Sequence, residues 1–252
     1  AALSAFGKTL RTEGNKNNEI GMPETLFHLD DTYEYAVVEM GMSALGDIAL
    51  LTRAARPHAA LITCIGVSHM EALGSRENIL KAKLEICEGL SFGSVLALSG
   101  DDELLRQAEV REDLRKVYFA VDNQEADVVA KEIRNDGRGE RFVIADKENG
   151  EFEVHIPALG KHSVMDALGA YTIVTRLGLP AAQVAAALAD YEPSGMRQKI
   201  VEFKGVTLLE DCYNASPDSM RAALSTLGAM QNKGKKIAVL GDMLELGAIS
   251  DA

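Results

Sequence analysis

The chain has 252 residues, of which 47% are hydrophobic and 25% charged, and it carries a formal net charge of −12. That is an average globular composition, which excludes a disordered or collagen-like chain, and the length suits one large domain plus a piece of another at roughly 150 residues per domain. The acidic balance argues against a duplex-binding surface, which needs a basic face, and 5% aromatics with no Trp argue against a stacking platform for single strands.

The first residues, Ala1–Phe6, read as a helix closed by Gly7. Gly7-Lys8-Thr9 imitates the end of a phosphate loop, but Ala2 stands where the pattern needs a Gly, and no strand precedes it. Asn15–Gly21 is dense in amides and glycines, which marks a loop, either plain turn chemistry or a polar loop that hydrogen-bonds a substrate. Tyr35–Met40 reads as a strand, Ala44–Ala55 as a helix ended by Pro57, and His58–Ile65 as a strand buried on both faces. Ser75–Leu90 follows as a helix capped by Ser75, then strand Ser94–Leu98, helix Asp101–Glu109 and strand Lys116–Val121. This rhythm predicts an α/β fold with a mostly parallel sheet flanked by helices.

After Asp122 the texture changes. Val128–Arg134, Arg141–Ala145 and Glu151–Ile156 are separated by Asn-Asp-Gly and Glu-Asn-Gly turn signals and predict a small antiparallel meander. Two alanine-rich helices are expected at Ser163–Leu177 and Ala181–Tyr191, and Pro193-Ser194-Gly195 reads as a linker. Beyond it the α/β alternation restarts with strand Val206–Glu210, helix Pro217–Met230 and strand Lys236–Leu240, as in a truncated Rossmann-like unit. Apolar runs such as Val95–Leu98 stay far below the ~18 residues that span a bilayer, and no basic leader marks a secretory signal. Cys64, Cys87 and Cys212 lie far apart, which points to reduced thiols in a cytoplasm.

Several residues could carry chemistry. Glu39 ends a strand before Met40-Gly41, where open α/β sheets bind their ligands; it is either a solvated strand end or a Mg²⁺ ligand. His69 follows the next strand, either as a loop histidine or as a group facing the same crevice. Projection of Ser75–Leu90 on a helix puts Lys83 on one face with Ile79, Ile86 and Leu90, whereas Lys81 shares a face with Glu77, Glu85 and Glu88. An inward lysine needs a partner or a neutral form; Lys83 either snorkels at the sheet edge or supplies an amine open to modification or metal chemistry. Ser163 and Asp166 form a capping-box pattern that leaves His162 at a helix mouth. Arg197 follows the linker, and Asp211, Tyr213 and Asn214 precede Ser216-Pro217, a cap followed by a first-turn proline.

In order, these residues resemble the Mur ligase family, and within it the branch that adds a dipeptide. The carrying segments are Thr12-Glu13-Gly14-Asn15-x-Asn17-Asn18-Glu19-Ile20-Gly21, Ala36-Val37-Val38-Glu39-Met40-Gly41, and His69-x-Glu71-x-x-Gly74-Ser75. With them go Ala82-Lys83-x-Glu85-Ile86, Asp211-x-Tyr213-Asn214-Ala215 and Val239-Leu240-Gly241-Asp242-Met243-x-Glu245-Leu246-Gly247. The resemblance implies an ATP-dependent peptide ligase of cell-wall synthesis, monomeric and cytoplasmic, with no nucleic-acid partner and no membrane insertion. It would join D-alanyl-D-alanine to UDP-N-acetylmuramoyl-tripeptide through an acyl phosphate. It also implies two Mg²⁺ ions, one on Glu39 near the ATP phosphates and one on His69 and a carbamylated Lys83.

By the same resemblance Arg197 reaches the phosphates and Asp211 the ribose, with Tyr213 and Asn214 beside them, and Asn17 and Asn18 contact the muramoyl-peptide. The family's His-Asn-x-x-Asn is His162-Ser163-x-x-Asp166 here, which weakens adenine contacts at that helix. The family's phosphate loop lies about one helix upstream of Thr12. The expectation is therefore a central ATP-binding domain at 1–193 lacking that loop, then the start of a carboxyl-terminal domain at 194–252, inactive by itself. Another Mur branch or a folylpolyglutamate-synthase relative would share Glu39, His69 and Lys83 but not the Asn17–Gly21 and Gly241–Met243 signatures. A non-catalytic binding module would have no reason to turn Lys83 inward.

Overall fold

The computed structural model describes residues 1–192, 195–231, 234–247 and 250. The linker residues Pro193 and Ser194, and with them the expected domain boundary, lie outside the described residues.

A 3-10 turn at Leu3–Ala5 replaces the expected first helix, and the Phe6 N–H closes it on the Leu3 carbonyl, so Gly7 is not its cap. The next element is a strand, β1 (Thr9–Arg11), where a phosphate loop would lead into a helix. After α1 (Gly21–Phe27), β2 (Tyr35–Val37) pairs in parallel with β1 to form a separate two-stranded sheet. β2 is shorter than expected because β1 offers only three residues to pair with, so Glu39 lies two residues past the strand. The helix α2 (Asp47–Ala55) starts later than Ala44, because the Asp47 carboxylate accepts from the Ser43 and Ala44 amides and organises them as a turn.

The main sheet has six strands in the order β3 (Ala59–Ile62), β4 (Val95–Ser99), β5 (Arg115–Ala120), β6 (Val128–Asn135), β7 (Glu140–Asp146) and β8 (Gly150–Ile156). The first four run parallel; β6–β7–β8 are the expected antiparallel meander, continuous with the parallel strands. Between β3 and β4 come α3 (Met70–Leu73) and α4 (Arg76–Leu84). Ser75 caps α4 by accepting from the Asn78 N–H at 3.2 Å. α4 then tightens into a 3-10 turn at Glu85–Gly89, whose Ile86 carbonyl accepts from the Thr52 hydroxyl at 2.9 Å, so the single helix expected to Leu90 is two pieces. A short α5 (Glu103–Arg106) lies between β4 and β5.

The strands alternate faces as their period of two requires. Ala60, Ile62, Leu96 and Leu98 face a core shared with Ile48, Ile79, Ala82 and Leu105, the α2–α4–α5 side. Ala97, Phe119, Val128 and Ile144 face the opposite core, built on α6 (Lys161–Arg176) and α7 (Ala181–Ala187), which a 3-10 turn at Leu188–Asp190 follows. α6 starts two residues before Ser163, so the capping box does not form: Ser163 is inside the helix and its hydroxyl donates to the Leu159 carbonyl at 2.9 Å.

Past the linker, β9 (Lys199–Phe203) and β10 (Val206–Glu210) form an antiparallel hairpin, not the first half of a parallel unit. α8 (Pro217–Ala229) has the expected Ser216 cap and first-turn proline, with Ser219 returning the cap's bond. Lys236–Leu240 is not a strand; it finds no neighbouring strand, and Ile237 and Val239 stay 75% and 92% exposed. Among the described residues no helix is long and apolar enough to cross a membrane.

Candidate functional site

The loop Thr12–Gly21 folds back onto the end of β2. The Glu39 amide donates to the Thr12 hydroxyl at 2.9 Å, and the Glu39 carboxylate accepts from Asn17 Nδ2 at 2.8 Å. The Gly41 amide donates to the Asn17 carbonyl at 2.7 Å, and a Cβ at Gly41 would lie 2.8 Å from the Asn17 side chain, so a larger residue there would displace that side chain. Asn17 therefore belongs to the Glu39 site. Asn18 does a different job: its Oδ1 accepts from the Gly21 and Ile20 amides at 2.8 and 3.2 Å and starts α1, a role open to Asn in any Asx turn. Glu39 itself is exposed, with one carboxylate oxygen free of Asn17.

Lys83 is half-buried, against an exposed Lys81, as the helical projection requires. Its Nζ donates to the Cys64 carbonyl at 2.7 Å, just past β3. Among the described residues it has no carboxylate partner within ion-pair distance. His69 lies five residues beyond Cys64 in a left-handed conformation with φ of 65°, an uncommon backbone for a non-glycine residue. Met40, next to Glu39, and Met70, next to His69, pack against the same α2–α4–α5 core, so both loops leave that side of the molecule. Among the described residues no three of His, Cys, Asp and Glu gather closely enough to hold a metal by themselves.

The second group of candidates meets where the two halves of the chain adjoin. His162 is half-buried at the mouth of α6; desolvation lowers its pKa, while the nearby Asp211, Gln198 and Glu140 act in the opposite direction. Crowding by protein raises the Asp166 carboxyl to about 6. Arg197 stacks its guanidinium 4.5 Å from the centre of the Tyr213 ring. The Cys212 and Tyr213 amides donate to the Met196 carbonyl, fixing this strip beside the hairpin. Asn214 turns its oxygen to the Ala215 amide at 2.8 Å. A cleft lined by Asp211, Asn214, Ser219 and Met220 opens beside them. Gly160, with φ of 89°, lets α8 approach: a Cβ there would stand 2.5 Å from the Thr226 hydroxyl.

Sequence reasoning gave no site role to four neighbours of these residues. Thr12 holds the Glu39 amide, Gln198 lies beside His162, Tyr191 lies in the field of both Asp166 and Arg197, and Glu245 approaches His69 Nδ1 at 3.6 Å. Each joins positions distant in sequence through an irregular segment, which no periodicity could have linked.

Two family models match the chain: the Mur ligase middle domain over residues 1–174 and the Mur ligase glutamate ligase domain over residues 196–252. The UDP-N-acetylmuramoyl-tripeptide–D-alanyl-D-alanine ligase of Bacillus subtilis strain 168 is 41% identical over 252 residues, covering 100% of this chain and 54% of that protein. A crystal structure of MurF from Acinetobacter baumannii superposes with a TM-score of 0.92 at 32% identity, over 99% of this chain and 54% of that one. MurF ligase from Thermotoga maritima, solved in complex with ADP, gives 0.86 at 28% identity, over 99% of this chain and 57% of that one. The chain thus spans about half the length of the curated relatives it matches.

Proposed function

This chain belongs to the Mur ligase family, and we propose that it is part of the branch that joins D-alanyl-D-alanine to UDP-N-acetylmuramoyl-tripeptide at the expense of ATP, in the cytoplasmic stage of peptidoglycan synthesis. The observation that carries this reading is the hydrogen bond from Asn17 to Glu39. It ties the loop that marks the dipeptide-adding branch to the carboxylate that the whole family shares. We place the boundary at 193/194, with 1–193 as the central ATP-binding unit and 194–252 as the start of the ligase unit; the two family matches, 1–174 and 196–252, leave residues 175–195 between them.

The residues fit Mg²⁺. Asn17 orients the Glu39 carboxylate and leaves an oxygen open, and Mg²⁺ takes few protein carboxylates and keeps its waters. Lys83 fits as a carbamate: its amine has a neutral carbonyl as partner and, among the described residues, no carboxylate, so addition of CO₂ to the deprotonated amine, with loss of one proton, would place an anion at the start of the segment that leads to His69. Glu39, His69 and Lys83 are thus the catalytic and metal-holding set. Bound Mg²⁺ would supply charge neutralisation on the phosphate oxygens.

The chain's own groups do the rest. Arg197, pre-oriented on Tyr213, reaches for the phosphates, and Asp211 accepts from the ribose hydroxyls, with Asn214 beside it. His162, kept neutral by burial, and Asp166 border the base. Asn17, with Asn18 shaping its loop, holds the muramoyl-peptide so that its carboxylate meets the terminal phosphate. The dipeptide amine then attacks the acyl phosphate, forming the amide as phosphate leaves.

The full-length protein should release phosphate from ATP only when the tripeptide precursor, D-alanyl-D-alanine and Mg²⁺ are all present, with the amide product seen by mass. Turnover with glutamate in place of the dipeptide would assign it to another branch.

A further inference from the structure

The stretch between β3 and His69 is irregular, yet one peptide in it is bonded at both ends. The Cys64–Ile65 peptide accepts from Lys83 Nζ at its carbonyl (2.7 Å) and donates from its N–H to Asp102 Oδ2 (2.7 Å). The next carbonyl, that of Ile65, accepts from Arg76 Nε (3.1 Å) and Nη2 (2.8 Å). The same Nη2 lies 3.7 Å from Asp102 Oδ2, closing the ring. Meanwhile the other Asp102 oxygen accepts from the Leu104 and Leu105 amides at 3.0 and 3.2 Å, and the Ile65 side chain is 1% exposed in the core. Neither Arg76 nor Asp102 falls in the motif segments that carry the resemblance, such as His69–Ser75 and Ala82–Ile86.

We propose that Asp102 and Arg76 are positioning residues for the catalytic set, acting through the Cys64–Ile65 peptide. Lys83 and Asp102 grip opposite ends of one peptide unit, so the carboxylate that orients the amide also orients the carbonyl on which the amine rests. Arg76 fixes the following carbonyl and so the direction in which the chain departs toward His69. An exit strand that was only packed, and not bonded, would let both Lys83 and His69 drift; misplacement of that kind is costly for a metal site, where outer partners typically matter ~10–100-fold. This inference rests on the assignment of Lys83 and His69 given above.

The decisive variant is Asp102→Asn in the full-length protein. Asn caps helices as well as Asp, so the α5 cap survives while the second acceptor, the one for Ile65, is lost. We expect a folded protein with a thermal midpoint lowered by no more than a few degrees, exchange of the Ile65 amide hydrogen at least ~10-fold faster, kcat lower by ~10–100-fold, and a Mg²⁺ half-saturation raised by a similar factor. KM for D-alanyl-D-alanine should not move. Arg76→Ala should act in the same direction and Arg76→Lys should recover part of the loss. Should Asp102→Asn fail to fold, Arg76→Ala decides, since its side chain is 46% exposed and its polar partners are the Ile65 carbonyl and Asp102. Normal Ile65 exchange in folded variants, or faster exchange with unchanged kcat and Mg²⁺ dependence, overturns the proposal. Lys83→Ala separates the two failures: if it abolishes turnover while Asp102→Asn is silent, the positioning role is wrong and the site stands; if Lys83→Ala is itself silent, the site assignment is what fails.

Discussion

The two halves of this chain read alike in sequence and fold differently. Val95–Ser99 and Ile237–Leu240 are both short apolar runs of the kind that buried strands show. The first lies between β3 and β5, every residue of it buried. The second has no strand beside it and leaves Leu240 57% exposed, and α8 buries only Thr226. A strand is a relation between segments, because its backbone groups need partners; the pattern states that a run could be buried, and the neighbours decide whether it is. The candidate site follows the same division. Glu39, His69 and Lys83 hang from packed elements of the first half, and Arg197, Asp211, Tyr213 and Asn214 from the exposed strip of the second.

The largest effect expected from this contrast is at Lys83. Lys83→Ala in the full-length protein should reduce turnover beyond the ~100-fold typical of outer partners, without loss of folding, and short-chain carboxylic acids should restore part of it by occupying the place of the carbamate. Lys81→Ala, on the solvated face, should leave turnover within about twofold. Equal losses from both, with rescue of neither, would make Lys83 a structural lysine.

Stability draws the same line. Phe119 is fully buried against α6, and Phe119→Ala should cost about 3–5 kcal/mol. Val239→Ala should stay within about 0.5 kcal/mol. Urea denaturation measures both; a comparable cost at Val239 would mean that the second half has a packed core after all.

A smaller, pH-dependent term belongs to the first half alone. The Asp146 carboxylate on β7 accepts both Arg176 amino groups at 2.7 and 2.8 Å and Asn149 Nδ2 at 2.7 Å, with both ionic side chains essentially buried. Burial alone would raise its pKa; the bonds from Arg176, Asn149 and the Glu148 amide outweigh that and hold it at about 2. A depressed carboxyl stabilises the fold above its unfolded pKa, near 3.8, and loses that contribution as pH falls toward 2. The increment is ~2 kcal/mol at 1.36 kcal/mol per unit. Asp146→Asn should abolish this part of the acid dependence; an unchanged profile between pH 4 and 2 would assign it elsewhere.

Much of this was legible in the residues. The alternation from Tyr35 to Val121, the Asn-Asp-Gly and Glu-Asn-Gly turns of the meander, the Ser75 and Ser216 caps and the inward face of Lys83 all follow from local periodicity or turn chemistry. What was not legible depends on partners. Thr9–Arg11 is too short to show a period and exists because Tyr35–Val37 lies alongside. Lys199–Phe203 is assigned no element from the sequence and is a strand because Val206–Glu210 folds onto it. Ser163 and Asp166 match a capping box, yet Gly160 turns the chain into the helix first and leaves both residues inside it. Asn17 was named with Asn18 as one substrate loop; only the fold shows that the first also bonds Glu39 and that the second also starts α1.

The smallest expected effect tests whether the exposed strip of the second half contributes to binding at all. Arg197 stands over the Tyr213 ring at 4.5 Å, and Tyr213 is 44% exposed. A cation over an aromatic face at such a site is worth ~0.5–1 kcal/mol. If the ring holds the guanidinium ready for the ATP phosphates, Tyr213→Leu should weaken nucleotide affinity by only ~2–5-fold. Tyr213→Phe keeps the π face and should bind as the parent does. Calorimetric titration of the full-length protein with ADP reads both. A loss as large as that from Lys83→Ala would place the phosphate grip mainly in the second half and reverse the contrast. No loss from Tyr213→Leu, with a large one from Arg197→Ala, would show that Arg197 needs no support from the ring. The leucine and phenylalanine variants together thus separate a pre-oriented guanidinium from one that is merely close.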